Sequence, residues 1–395
     1  MDIIMKKFLD SKPIYILRVI LNRLSFAIFK VFPINTKKIV FLNFHSDNFT
    51  GNNKAIYDEM IKQKWNLNYV MVSNSDIRRE YTFRIKKIIT TIKINYNICT
   101  AKYIIVNDYY SLFSMCKLRK GTELIQVWHG GGAFKKFGKD SMQNMASAEI
   151  MKRNMRGHGQ YTKVIVSSKE VAPIYANAFG VDIKKIYPIG IPRADIFFDS
   201  SRMEKIKTSL LDKYPYLLDK KIILYAPTYR DDSRYNESLA LNLEYLMERI
   251  SDNYVFVFKM HPFERGKIKI DKSLSSKVFD LSHEEINDLL IIADILITDY
   301  SSIIFEYAIL QRPMIFFAYD LEKYENEIRG FYYNYTDFVP GPIAYTTEEV
   351  VELINKNEWD FEIIKKFAIR FNEHFDGKAT DRFIKEVLFE EEGKF

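Results

Sequence analysis

Short, unbroken apolar runs recur along the chain with room for a helix between neighbours, and this alternation restricts the fold more than any other feature. Lys38-Ile-Val-Phe-Leu-Asn-Phe44, Asn66 to Ser73, Ala101 to Asn107, Leu124 to Trp128 and Thr162 to Ser168 form one series. Lys221-Ile-Ile-Leu-Tyr-Ala226, Tyr254-Val-Phe-Val-Phe-Lys259, Asp294 to Thr298 and Pro313-Met-Ile-Phe-Phe317 form a second. Such runs lack the alternation of a half-exposed sheet and fit parallel strands covered on both faces. Each series therefore predicts a doubly wound α/β sheet. A length of 395 residues exceeds what one core usually fills, which favours two domains. Gly190-Ile-Pro-Arg-Ala-Asp195 and the charged helical stretch after it read as the link. Open parallel sheets bind ligands beyond the carboxyl ends of their strands, so two facing sheets predict a shared cleft there.

The distinctive polar clusters follow strands. Asp294-Ile-Leu-Ile-Thr-Asp-Tyr-Ser-Ser302 runs into Ile303-Ile-Phe-Glu-Tyr-Ala-Ile-Leu310 and predicts a strand delivering Ser301 and Ser302 to a helix N-terminus. The first N–H groups of a helix lack internal partners and carry the positive end of its dipole, which suits a nucleotide diphosphate; the same serines also serve as simple caps. One turn on, Glu306 can accept both hydroxyls of a ribose, while Asp299 supports the loop. In Gln126-Val-Trp-His-Gly-Gly-Gly-Ala-Phe-Lys-Lys-Phe-Gly138, His129 has a side chain whose ordinary pKa, about 6.5, suits taking a proton from a hydroxyl. A histidine that merely makes a structural hydrogen bond is the alternative. Gly130, Gly131 and Gly132 allow backbone close to a ligand, and Lys135 and Lys136 follow, at a spacing that excludes a nucleoside-triphosphate loop. Tyr225-Ala-Pro-Thr-Tyr-Arg-Asp-Asp232 offers Thr228 and Arg230, the arginine suited either to a phosphate or to a pair with Asp231 or Asp232. Phe258-Lys-Met-His-Pro262 places Lys259 and His261 at a strand end. No carboxylate or histidine spacing calls for a metal, and no cofactor is expected. Tyr319 to Phe331, dense in charge and aromatics, reads as ligand contact or as a solvated helix.

Net charge is +7, and residues 1 to 40 hold eight basic against two acidic residues, so most of the excess is N-terminal. Ile14 to Phe32 predicts a helix with Arg18, Asn22, Arg23, Ser25 and Lys30 on one side and leucines, isoleucines and Ala27 on the other, although Tyr15, Val19, Phe26 and Phe29 intrude on the polar side. Arg18 and Arg23 interrupt the run. That favours a helix lying among anionic headgroups, or packed on the first domain, over one that spans a bilayer. No base-reading module accompanies the basic segment, which argues against nucleic acid. Cys99 and Cys116 have no metal or redox spacing, nothing resembles a cleaved leader, and a reducing cytosol is expected.

From Asn52-Asn-Lys-Ala-Ile-Tyr57 to Phe375-Asp-Gly-Lys-Ala379 the sequence resembles the CDP-glycerol/CDP-ribitol polyol-phosphotransferase family of teichoic acid and capsule biosynthesis. The most specific parts are Trp128-His129-Gly130 with Lys135 and Lys136, Tyr225 to Asp231, Lys259 to Pro262, and Leu296 to Phe331. The resemblance implies a GT-B-like fold of two facing Rossmann-type domains. Its expected parts are a basic amphipathic segment (1–35) that associates with the membrane, an acceptor domain (36–200), a CDP-polyol-binding domain (201–375) and a C-terminal helix returning to the first domain (376–395). It also implies peripheral attachment to the cytoplasmic face of the membrane, where a polyprenyl-diphosphate-linked saccharide resides. His129 matches the acceptor-side histidine and His261 the histidine near the donor diphosphate. Arg230, Ser301 and Ser302 match positions around the phosphates, with Thr228, Lys259 and Asp299 beside them, and Glu306 sits where related folds hold the ribose. Gly130, Gly131, Lys135 and Lys136 fall on the acceptor and phosphate side. Gly131-Gly-Ala-Phe134 replaces the Thr-Pro-Leu type of sequence of many members, which leans toward the shorter, primase-like ones. The implied reaction transfers glycerol phosphate or ribitol phosphate to an acceptor hydroxyl and releases CMP. A nucleotide-sugar glycosyltransferase and a non-catalytic lipid-carrier binding protein are the alternatives.

Overall fold

The protein is described by a computed structural model over residues 12–44, 49–73, 75–76, 85–142, 148–230, 239–261, 264, 266–328 and 330–389. Asp231, Asp232 and Pro262 of the motifs above, and the basic residues before Lys12, lie outside the described residues. The chain forms two compact units. Unit 1 is Met1–His129, Phe137–Asp195 and Lys378–Phe395; unit 2 is Gly130–Lys136 and Ile196–Gly377.

The first helix of unit 1, α1 (Lys12–Phe29), packs on α3 (Ile85–Thr100). The strands are β1 (Asn35–Leu42), β2 (Asn68–Val72), β3 (Ala101–Val106), β4 (Glu123–Gln126), β5 (Lys163–Val166) and β6 (Ile186–Pro188). They form one parallel sheet in the order β2-β1-β3-β4-β5-β6, with α2 (Gly51–Lys62) crossing from β1 to β2. Ile39, Phe41, Ile105 and Ile125 are fully buried against it. The C-terminal stretch closes this core. Ala379–Arg382 is helical and continues through Phe383–Leu388. Phe383, Ile384 and Val387 join the β-sheet core, and Asp195 accepts from the backbone N–H groups of Ala379 and Thr380 at 2.9 and 2.7 Å.

The strands of unit 2 are β7 (Lys221–Tyr225), β8 (Tyr254–Phe258), β9 (Val278–Asp280), β10 (Ile295–Thr298), β11 (Met314–Phe317) and β12 (Ile343–Ala344). They are parallel, in the order β12-β11-β10-β7-β8-β9. Strand order therefore reverses direction between β7 and β10. A parallel sheet leaves a crevice at such a point, and there the carboxyl ends of β7 and β10 lie side by side.

The face of α1 that packs inward is the one carrying Asn22, Ser25 and Phe26, all buried. Asn95 of α3 donates to Asn22 Oδ1 at 2.8 Å and to Ser25 Oγ at 2.7 Å, while Phe29 meets Tyr96 edge-on at 5.4 Å. The aromatic residues that interrupt the polar side are thus the packing residues. Ile16, Leu17, Ile20, Leu24 and Ile28 are exposed. No helix among the described residues is long and apolar enough to cross a membrane.

Candidate active site

Within unit 2, Asp299 follows β10 and Thr228 and Arg230 follow β7, one on each side of the point where strand order reverses. Asp299 is 1% exposed and accepts from the Thr228 N–H at 2.8 Å. Its other oxygen pairs with Arg230 Nη1 at 2.7 Å. Asp320, just beyond β11, holds the same guanidinium bidentately, Nε and Nη2 each donating over 2.9 Å. Arg230 also donates to the Thr228 carbonyl and lies 5.0 Å from the ring centres of Tyr300 and Tyr324. The Tyr300 hydroxyl donates to Asp320 at 2.9 Å. Burial disfavours the Arg230 charge, but the bonds to Asp320 and the charge of Asp299 outweigh it and raise the pKa above its ordinary value. At 5% exposure and with its fork occupied, Arg230 ties three strand ends together.

The sequence reads Arg230 as suited to a phosphate or to Asp231 and Asp232, which lie outside the described residues; among the described residues its carboxylate partners are Asp299 and Asp320. Its partner Asp320 belongs to the Tyr319 to Phe331 stretch, which is helical over Leu321–Lys323 and Tyr324–Ile328 with Glu322, Lys323, Glu325 and Asn326 exposed, while Tyr324 is 2% exposed and stacks on Phe331 at 5.6 Å.

Ser301 and Ser302 lie half-buried just beyond Asp299 and the buried Tyr300. The helix they precede, Ile304–Tyr307, has four residues and continues as a 3-10 turn over Ala308–Leu310. No side chain caps it. So short a helix has little dipole, and any anion here depends on individual N–H and O–H donors rather than on the helix as a whole. The Ser301 hydroxyl accepts from the Ile303 N–H at 3.5 Å, and the Ser302 carbonyl accepts from Phe305. Glu306 is 1% exposed on the same turn.

Gly130–Lys136 packs into this unit. Lys136 N–H donates to the Gly330 carbonyl at 3.1 Å, Tyr332 N–H to the Phe134 carbonyl at 2.9 Å, and Phe134 stacks on Phe338 at 4.7 Å. A Cβ on Gly131 would stand 3.5 Å from the Glu306 carboxyl carbon, and one on Gly132 only 2.3 Å from the Phe305 ring. Gly132 is therefore needed for close approach to Phe305, while a Cβ on Gly131 would lie at nearly ordinary contact distance from Phe305 and Glu306. Lys135 reaches the Thr228 hydroxyl at 3.5 Å.

After β8, Lys259 donates through Nζ to the carbonyls of Ser282 and Glu284, bracing the loop beyond β9. His261 is exposed, its ring 4.8 Å from that of Tyr229 and tilted by 33°.

In unit 1, His129 follows β4 and is half-buried, stacked on Trp128 at 4.4 Å. Its Nδ1 lies 3.3 Å from the Asn107 carbonyl. A carbonyl can only accept, so Nδ1 carries the hydrogen and the neutral ring keeps a lone pair on Nε2, as a base requires. Trp128 has φ 49°, a left-handed conformation that costs a non-glycine residue about 1–3 kcal/mol. It is held there from both sides. Gln126 Oε1 accepts from its N–H at 2.8 Å, and Asn52 Nδ2 donates to the carbonyls of Val127 and Trp128 at 2.9 and 3.0 Å. Asn52 and Gln126 were legible only as parts of motifs, Gln126 acting just two residues on; the roles of Asn107 and Asp320 depend on contacts between distant segments. Among the described residues, no group of three His, Cys, Asp or Glu side chains gathers to hold a metal.

Two α/β units, each with a six-stranded parallel sheet and polar residues at the carboxyl ends of the strands, define a fold of the GT-B type. The model of the CDP-glycerol:poly(glycerophosphate) glycerophosphotransferase family matches residues 24–389, and the chain belongs to that family. It is 38% identical over 372 residues to the teichoic acid poly(ribitol-phosphate) polymerase of Bacillus spizizenii, covering 93% of this chain and 59% of that relative. It is 34% identical over 346 residues to the teichoic acid glycerol-phosphate primase of Bacillus subtilis, covering 85% and 88%. A solved structure of the wall teichoic acid polymerase TagF superimposes with a TM-score of 0.80 at 26% identity, over 95% of this chain and 96% of that one. The chain thus spans little more than half of the polymerase, and primases stand beside polymerases among its relatives.

Proposed function

We propose that the protein transfers glycerol phosphate or ribitol phosphate from the CDP-polyol to a hydroxyl of a polyprenyl-diphosphate-linked saccharide, releasing CMP, in teichoic acid or capsule synthesis. The observation that carries this reading is the gathering of Thr228, Asp299, Ser301 and Ser302 around the reversal point of unit 2, with Glu306 one turn on. In this reading Ser301, Ser302 and the adjoining N–H groups, with His261 and Lys259, hold the diphosphate, and Glu306 accepts from the ribose. Arg230 keeps that surface in shape through Asp299 and Asp320. Lys135, with Lys136 and the backbone of Gly130 and Gly131, supplies further positive and N–H groups.

The acceptor oxygen attacks the polyol-bearing phosphorus as His129 Nε2 takes its proton. The bond to the CMP oxygen breaks, and CMP leaves with the electron pair. No step requires a metal. Unit 1 works at the cytoplasmic membrane face, attached peripherally through α1, where the lipid-linked acceptor resides.

The test is CMP release from CDP-glycerol and CDP-ribitol by folded His129→Ala and Ser302→Ala proteins. Loss in both supports the assigned roles, and near-normal release from both removes them.

A further inference from the structure

Unit 1 contains a cavity of about 1130 Å³ between α1, the loop that follows the short helix Leu112–Met115, and the end of the helix Ala148–His158. Six cations line it: Arg23, Lys30, Lys117, Arg119, Lys120 and Arg156; no carboxylate does. Among the described residues none of the six is paired with an acidic side chain. Three are steadied by carbonyls. Arg23 Nε donates to Met115 at 3.1 Å, Lys30 Nζ to Lys117 at 2.9 Å, and Arg119 to Phe32. Lys117, Lys120 and Arg156 are exposed at its rim. So much uncompensated like charge around one hollow is unfavourable unless an anion enters it.

The wall of the cavity formed by α1 adjoins that helix's exposed apolar stripe. Ile16, Leu17, Ile20, Leu24 and Ile28 recur at the spacing of one helix face, and Val31, in the turn after the helix, is 77% exposed. Water does not favour such a stripe, while acyl chains do, and the cations stand where the headgroups of the same lipids would lie.

We propose that this cavity is a headgroup site for an anionic glycerophospholipid, whose phosphate meets Lys117, Lys120 and Arg156 while neighbouring acyl chains take the apolar stripe of α1. The inference rests on the peripheral attachment proposed above and gives it a specific partner and a second contact outside the N-terminal helix.

The experiment is sedimentation of the full chain with phosphatidylglycerol-containing vesicles, with purely phosphatidylcholine vesicles, and with phosphatidylcholine vesicles carrying a polyprenyl diphosphate. Wild-type protein should prefer the phosphatidylglycerol vesicles. Lys117→Gln, Lys120→Gln and Arg156→Gln combined should lower binding to them roughly tenfold or more. A control with the same charge loss at exposed sites away from the cavity, Lys54→Gln, Lys62→Gln and Lys184→Gln, should stay within about twofold of wild type. Equal losses in both triple variants, or a preference for polyprenyl diphosphate over phosphatidylglycerol that the cavity variant abolishes, would overturn the proposal. CMP release with a water-soluble acceptor is measured alongside. Its persistence in the cavity variant separates a failed lipid site from a failed transferase, and the far-ultraviolet spectrum confirms that the variant is folded.

Discussion

Replacing Gly132 by alanine tests how the segment after His129 is built into unit 2. A Cβ there would fall 2.3, 2.4 and 2.6 Å from three atoms of the Phe305 ring, distances that no pair of carbons sustains. Phe305 is 0% exposed and stacked on Phe367 at 5.4 Å, so it has little room to yield. Gly132 does not have a positive φ, and alanine can adopt its backbone conformation. The substitution therefore gains about 0.4–1 kcal/mol through the unfolded chain and loses about 1–3 kcal/mol to overpacking. The net is a destabilisation of about 1–2 kcal/mol, seen as a fall of roughly 2–8 °C in the unfolding midpoint. Gly131 is the internal control. Its nearest contact would be 3.3 Å, a few tenths of an ångström too close, and the same gain offsets it, so Gly131→Ala should lie near the wild type. Thermal unfolding followed by circular dichroism reads both. Equal midpoints for the two variants would refute the packing argument.

Asp320→Ala leaves Arg230 buried with half its partners and should cost roughly 3–5 kcal/mol in urea unfolding; Arg230→Lys, which cannot fork to two carboxylates, should also destabilise. A loss below about 1 kcal/mol in Asp320→Ala would remove the proposed node. His158 is 3% exposed, and burial lowers its pKa from 6.5 to about 4. The unfolded chain therefore binds the extra proton first. This residue's contribution to stability is intact above pH 6.5 and is lost as pH falls toward 4, by about 3 kcal/mol in all. In His158→Phe the pH dependence of urea unfolding between those limits should be flatter by that amount; an unchanged slope would contradict the burial argument. Asn52→Ala frees the carbonyls of Val127 and Trp128 ahead of His129, and should lower kcat roughly tenfold with KM little changed. A change confined to KM would place Asn52 in binding instead.

The apolar runs disclosed the long central strands because Ile, Val and Phe recur there without interruption, as in Ile39 to Leu42 and Tyr254 to Phe258. β6, β9 and β12 were missed, since two or three residues at a sheet edge carry too little periodicity to stand out from loop. The polar motifs after the strands were legible as residues but not in their roles. Arg230 reads as a phosphate ligand until Asp320, ninety positions away, is brought to it. The glycine run reads as ligand space until Phe305 fills that space. Along α1 the hydrophobic pattern was visible, but which face turns inward was decided by Asn95 on a different helix.

The central claim is transfer of a polyol phosphate, and mass spectrometry of the products tests it most directly. Purified protein is incubated with a synthetic lipid-linked disaccharide and either CDP-glycerol or CDP-ribitol. The account predicts an acceptor heavier by one or more polyol phosphates, one CMP for each added unit, and neither product with His129→Ala. An unmodified acceptor with both donors, or transfer of a sugar from a nucleotide sugar in their place, would contradict it.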